Sequence, residues 1–240
     1  MYRISKILLL FTFIGLIPPL YPIKAFAIDK IYSPIVEEGE VEIEARGVSE
    51  FHDDGEDKHI QKFGVGYAPS DRFAFEFYAE TEHEESETEL EAIAVETRYQ
   101  LTEQGEYWLD AGAYLEFEYA FDEEYKIETK ALLEKEVGKT LHTTNLILER
   151  DIFNHGGMFE AGLAWKSKYR LDEAFEPGFE YFAEFGRVND IPTWDEQEHA
   201  VGPAVYGKLW GKVKYGLALV FGVSDAAPDQ AVRWEIEFEL

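Results

Sequence analysis

Apolar and polar residues alternate with a period of two along most of this chain. The closing stretch "RWEIEFEL" is the plainest case: Trp234, Ile236, Phe238 and Leu240 share one parity, and Arg233, Glu235, Glu237 and Glu239 share the other. Read as a strand, it has one apolar and one charged face. "RFAFEFYAE", "YWLDAGAYLEFEYAF" and "YKIETKALLEKEV" repeat the scheme, and "GFEYFAEF" and "KVKYGLALVFG" follow it more loosely. In "LHTTNLILER" apolar residues fall on both parities, and the outward face is left open. Turn signals between these runs predict about twelve strands. They are Glu40–Val48, Lys58–Tyr67, Arg72–Glu80, Thr88–Tyr99, Tyr107–Phe121, Tyr125–Val137, Thr140–Arg150, Met158–Tyr169, Phe175–Phe185, His199–Leu209, Val213–Gly222 and Ala231–Leu240.

An alternating strand buries its apolar face either against a second sheet or against lipid. In a soluble sandwich two apolar faces meet. In a transmembrane barrel the apolar face meets lipid and the polar face lines the interior. Strand length favours the barrel, since several runs reach the roughly 9–11 residues that a tilted spanning strand needs. The connections agree. Longer acidic ones such as "SEFHDDGEDK", "TEHEESET" and "GRVNDIPTWDEQE" alternate with shorter ones such as "APSD", "VGK" and "LWGK". Outer-membrane barrels have long outer loops and short periplasmic turns, and an even strand count puts both termini on the periplasmic side.

The first residues read as a targeting segment. Arg3 and Lys6 precede the apolar run Ile7 to Ile17, Pro18 and Pro19 end it, and "AFA" at Ala25 to Ala27 has the form of a cleavage site. The expected organisation is a cleaved signal peptide at 1–27, a periplasmic N-terminal segment at 28–39 and the barrel at 40–240. Beyond the leader, no run approaches the roughly 20 apolar residues of a transmembrane helix.

The closing alternation of Trp234, Ile236, Phe238 and Leu240 resembles the C-terminal assembly signal of Gram-negative outer-membrane β-barrel proteins, with Leu240 where that signal usually carries Phe or Trp. The resemblance implies an all-β fold: a closed antiparallel transmembrane β-barrel of about 12 strands, porin-like, in the bacterial outer membrane. It implies as partners the barrel-assembly machinery, outer-membrane lipid and lipopolysaccharide. It says nothing of activity.

Composition then narrows the function classes. The net charge of -27 is repelled by nucleic acid, so no nucleic-acid partner is expected. The leader carries Arg3, Lys6 and Lys24 and no acid, so its removal leaves the rest three units more negative. Cysteine is absent, which excludes disulfides and thiolate metal sites. The inward parity carries Glu76, Glu80, Glu96, Arg98, Asp110, Glu116, Glu118, Glu128, Lys130, Lys166, Glu180, Glu184, Lys214, Arg233 and Glu235. Charges in a dry interior must pair or hold water. Their acidic excess supports a passive, cation-favouring channel or small-solute transporter. A lumen closed by salt bridges is the competing reading, with acidic outer loops that bind divalent cations or lipopolysaccharide.

His52, His59, His83, His155 and His199 fall in or beside the outer connections and are the candidates for a metal, although no spacing matches a recognised site. Otherwise no cofactor is expected. A lipid-modifying enzyme is the third reading. It lacks a nucleophile-elbow pattern, and His142 has no identifiable serine partner.

Overall fold

Twelve antiparallel strands pair each with its sequence neighbours, and the last pairs with the first, so the sheet closes on itself. The computed structural model describes residues 30–240 except 53–56, 85–86, 122–123 and 153–156. The leader expected at 1–27 and His155 lie outside the described residues. The strands are β1 (Val41–Phe51), β2 (Lys58–Ser70), β3 (Phe73–Glu84), β4 (Glu87–Gln100), β5 (Asp110–Ala120) and β6 (Glu124–Val137). They continue as β7 (Thr140–Ile152), β8 (Glu160–Tyr169), β9 (Glu176–Arg187), β10 (Glu198–Leu209), β11 (Val213–Gly222) and β12 (Gln230–Glu239). One 3-10 turn, Trp194–Glu196, sits in the β9–β10 connection. The expected count holds, with boundaries shifted by a few residues.

Alternation sets which side of the wall each residue meets. Phe63, Val65, Phe77, Leu115, Phe117, Leu146, Leu148, Leu217, Ile236 and Phe238 are exposed on the outer surface. An apolar belt of this kind suits lipid, and closure leaves no strand edge with unpaired backbone groups inside it. Aromatic side chains mark the rim of the short turns, where Tyr99, Tyr107, Trp108, Tyr169 and Trp210 are exposed. Such girdles sit at membrane–water interfaces. The β10–β11 turn holds Trp210 and Gly211 at positive φ, 54° and 65°, as a type I′ hairpin requires.

The parity that the sequence left open in β7 is settled by burial. Leu141, Thr143, Asn145 and Ile147 point inward and are buried, while Leu146 and Leu148 point out. At the closing seam Trp234 stands opposite Gly47 of β1. A Cβ on Gly47 would lie 2.9 Å from Trp234 Nε1, so the indole lies directly over the glycine.

Residues 30–38 depart from the expectation of a periplasmic segment. Ile31, Tyr32 and Val36 are buried within the barrel. The chain turns back at Gly39, whose φ is +85° and whose N–H bonds to Ala68 O at 2.8 Å. The physical reason is that the lumen offers this short apolar stretch, "IYSPIV", both cover and hydrogen-bond partners.

Candidate functional site

The lumen is the candidate site, and its wall is organised by register. Six glutamates stand directly opposite one another across successive strands: Glu76 to Glu96, Glu96 to Glu116, Glu116 to Glu128, Glu128 to Glu149 and Glu149 to Glu160. Gly66 continues the row from Glu76 back to Glu42 on β1, and Arg187 ends it beyond Glu160. Glu42 lies near the start of β1 and Glu149 near the end of β7. The row therefore climbs from the end with short turns to the end with long loops, as strand tilt in a barrel demands. Like charges directly opposite one another destabilise a sheet, so the neighbouring rows must supply cations. Lys130 Nζ lies 2.9 Å from Glu128, and Lys126 lies 3.4 Å from Glu118 and 3.8 Å from Glu149. Arg46 bonds to Glu44 and lies 3.9 Å from Glu76 and 3.7 Å from Glu96.

Small inward residues lie beneath long ones that reach across strands. Arg233 of β12 pairs with Glu180 of β9, passing over the inward Gly202 and Ala218 of the two strands between. Tyr78 of β3 donates to Glu118 of β5 at 3.1 Å across Ala94 of β4.

The N-terminal segment occupies the middle of this wall. Asn145 pairs with the Tyr32 backbone in both directions, accepting from its N–H and donating to its carbonyl at 2.8 Å each. Lys166 donates to Ile31 O at 2.7 Å, and Val36 N–H donates to Gln100 Oε1 at 2.8 Å. The Tyr32 hydroxyl donates to Glu96 at 2.7 Å. Four cations surround its ring, with Lys30, Lys130, Arg98 and Arg46 at 5.2, 5.0, 5.7 and 5.8 Å from the centroid. Cation–π attraction strengthens where water is displaced, so the ring offsets part of the cost of burying those charges. Lys30 also pairs with Glu44, and with Glu237 at 3.1 Å. Gly112 makes room for the segment: a Cβ there would meet Pro34 Cβ at 2.9 Å.

Below Tyr32 a vestibule of about 460 Å³ opens toward the periplasmic end, between acids that include Glu40, Glu42 and Glu237 and bases that include Lys166, Lys168 and Lys208. Above it a smaller cavity of about 40 Å³ lies among Glu116, Glu128, Lys126, Ile147 and Phe182. Among the described residues, Glu40, Glu42 and Glu237 form a three-carboxylate group close enough to hold a metal ion. Lys214 already fills it, at 3.2, 3.7 and 2.7 Å from the three. Glu40 sits just before β1 at the vestibule mouth. Burial and the neighbouring Glu42 push its carboxyl up to about 7, against the pull of Lys214.

Of the residues expected to line the lumen, Glu76, Glu96, Glu116, Glu118, Glu128, Lys130, Glu180, Glu184 and Arg233 are buried there. Glu235 joins them through Arg233 at 2.7 Å, and Arg98 through Glu42 at 3.5 Å. Glu80 pairs with Lys62 at 3.1 Å. Lys214 is at the rim, and Asp110 caps the β4–β5 turn by accepting from Gly105 N–H at 2.6 Å. Sequence reasoning did not single out Glu42, Glu44, Arg46, Lys62, Glu134 or Glu237, all buried. The alternation of "VEIEARG" carried the signal for the first three. Asn145 and Gln100 carried none, because only the segment they bind gives them a role.

The histidines divide. His59 and His83 face each other on the outer surface. His199 lies under Trp194, with centroids 3.7 Å apart, and both its ring nitrogens are engaged, by Tyr181 at 2.8 Å and Gln197 at 3.0 Å. His52 stands beyond the end of β1, and His142 stacks on Trp165. Ser224 accepts from the His199 backbone and not from its ring, at 2.8 Å. On the outer surface His142 stands opposite Ser167 across β7 and β8, and His83 Nδ1 lies 2.8 Å from Thr88 Oγ1.

No protein-family model and no curated protein matches the chain. Solved structures do match in fold. An outer membrane channel from Pseudomonas putida F1 superposes with a TM-score of 0.63 at 12% identity, over 89% of this chain and 100% of that one. The KdgM porin in complex with disordered oligogalacturonate gives 0.58 at 9% identity over 83% and 99%, and the NanC porin 0.56 at 8% over 83% and 100%. With the closed twelve-stranded sheet and its apolar belt, these likenesses identify the fold as that of a bacterial outer-membrane β-barrel.

Proposed function

We propose that this barrel is a passive outer-membrane channel for small solutes that favours cations, and that residues 30–36 hold it shut in the conformation described above. The observation that carries this reading is the glutamate row from Glu42 to Glu160. It supplies carboxylates from one end of the lumen to the other, behind a wall whose outer side is apolar. A low-dielectric wall focuses the field of such charges and concentrates cations beside them. Among the described residues, twelve buried glutamates face four buried Lys or Arg side chains, and with the half-buried Lys30, Arg98, Lys126 and Lys166 counted the acids still outnumber the bases. The channels and porins of the same fold support the coarse class.

A closed barrel is the second reading, favoured by the Tyr32 cage and the Arg233–Glu180 bridge. One experiment separates the two. The chain has no cysteine, so the pair Pro34→Cys and Gly112→Cys introduces a single possible disulfide. The 2.9 Å Cβ separation there widens by about 1 Å to reach ordinary disulfide geometry. In planar bilayers the reduced pair should conduct and the oxidised pair should not. Equal conductance in both states would remove the segment as the gate. Silence in both states, and in Tyr32→Gly with Asn145→Ala, would favour the closed barrel.

A further inference from the structure

We propose that His59 and His83 form a two-imidazole site for a first-row transition-metal ion at the outer rim of the barrel. The two residues are a register pair on neighbouring strands, β2 and β3, and both point outward. Their ring centroids lie 5.9 Å apart at 30°. Two imidazoles bound to one ion through metal–nitrogen bonds of about 2.0–2.1 Å place their centroids roughly 5–6 Å apart. The separation is therefore that of a shared ion, and the stacked rings have only to turn, without backbone movement, for one nitrogen of each to meet it.

Local contacts prepare the pair. Thr88 Oγ1 lies 2.8 Å from His83 Nδ1. This contact engages one ring nitrogen and leaves the other, Nε2, to the metal. Phe51 meets His59 edge-on at 6.0 Å and 75° and adds an apolar neighbour to the pair. Both histidines are half-buried, so the site is open to ions from the surface. Neither His142, stacked on Trp165, nor His199, engaged at both nitrogens, offers a comparable arrangement. Nitrogen donors select Zn²⁺, Ni²⁺ or Cu²⁺ over Ca²⁺ and Mg²⁺, which prefer oxygen. Water or a lipid phosphate oxygen completes the coordination. Such an ion ties together the ends of the β2–β3 pair where it leaves the membrane.

The test is equilibrium dialysis of the full chain, folded in detergent micelles, against Zn²⁺ in the presence of excess Ca²⁺. One Zn²⁺ per chain is expected. His59→Ala or His83→Ala should each weaken binding by about 100-fold or more, and Thr88→Val by about tenfold, as loss of an outer-shell partner does. His142→Ala should bind like the native chain, and heat-modifiable migration confirms that each variant is folded. Native protein that retains no more Zn²⁺ than His59→Ala would overturn the proposal. So would uptake that Ca²⁺ abolishes, since that is the behaviour of carboxylate loops.

Discussion

Glu180 and Arg233 illustrate what a charge needs inside this wall. Glu180 is fully buried and Arg233 is 2% exposed; two hydrogen bonds join them, and Glu235 on Arg233 and the Tyr206 hydroxyl on Glu180 complete the cluster. Removing one partner of a buried pair strands the other, at a cost of about 3–5 kcal/mol, whereas replacing both by apolar residues of similar volume is often neutral. Glu180→Leu should therefore lower the temperature at which heat-modifiable migration is lost, and Glu180→Leu with Arg233→Met should restore most of it. A double variant as unstable as the single one would mean that the cost lies outside this pair, in packing or in Glu235 left without Arg233. At the vestibule mouth Glu40 makes a second residue-scale prediction. Its carboxyl is raised from 4.5 to about 7, so the folded protein binds this proton more tightly than the unfolded chain does. Through this group the barrel loses stability as pH rises between those values. Deprotonation also adds a negative charge where cations enter. Cation preference should rise from about pH 6 to about pH 8 and flatten in Glu40→Gln. The same rise in Glu40→Gln would assign the titration elsewhere.

At the scale of the strand, the outward parity of β12 does two things. Trp234 covers Gly47 at the closing seam, and Ile236 and Phe238 face outward into the belt at 42% and 49% exposure. Phe238→Asp puts a charge into lipid near the interface, at part of the roughly 2–4 kcal/mol found for Arg or Lys at the midplane. Its folded yield should fall sharply. Glu239→Gln removes pairing with Lys208 and Lys214 near the rim and should leave the yield close to native. Equal yields would contradict the facing of β12. Most strands were legible in the sequence because a wall with lipid on one side and charge on the other imposes a period of two. β7 was not, because Leu141 and Ile147 pack inward while Leu146 and Leu148 face lipid, so both parities are apolar. The segment around Tyr32 was also illegible. It has no period, and its partners Glu96, Gln100, Asn145 and Lys166 come from three different strands. The alternation identified the inward acids but not their arrangement. That Glu76, Glu96, Glu116 and Glu128 line up depends on strand stagger, which no single strand encodes.

For the whole molecule, the -27 net charge and the two-faced wall have one explanation. The apolar residues are spent on the outside, which leaves the lumen and loops to carry the carboxylates, and the glutamate row gives those in the lumen a continuous course. The most direct measurement is the reversal potential of the reduced Pro34→Cys/Gly112→Cys protein across a potassium chloride gradient, alone and with Glu116→Lys and Glu118→Lys. A cation-favouring channel predicts a potential of the sign set by potassium, reduced toward zero by the two lysines. A potential of the sign set by chloride, or one unmoved by the lysines, would contradict the account.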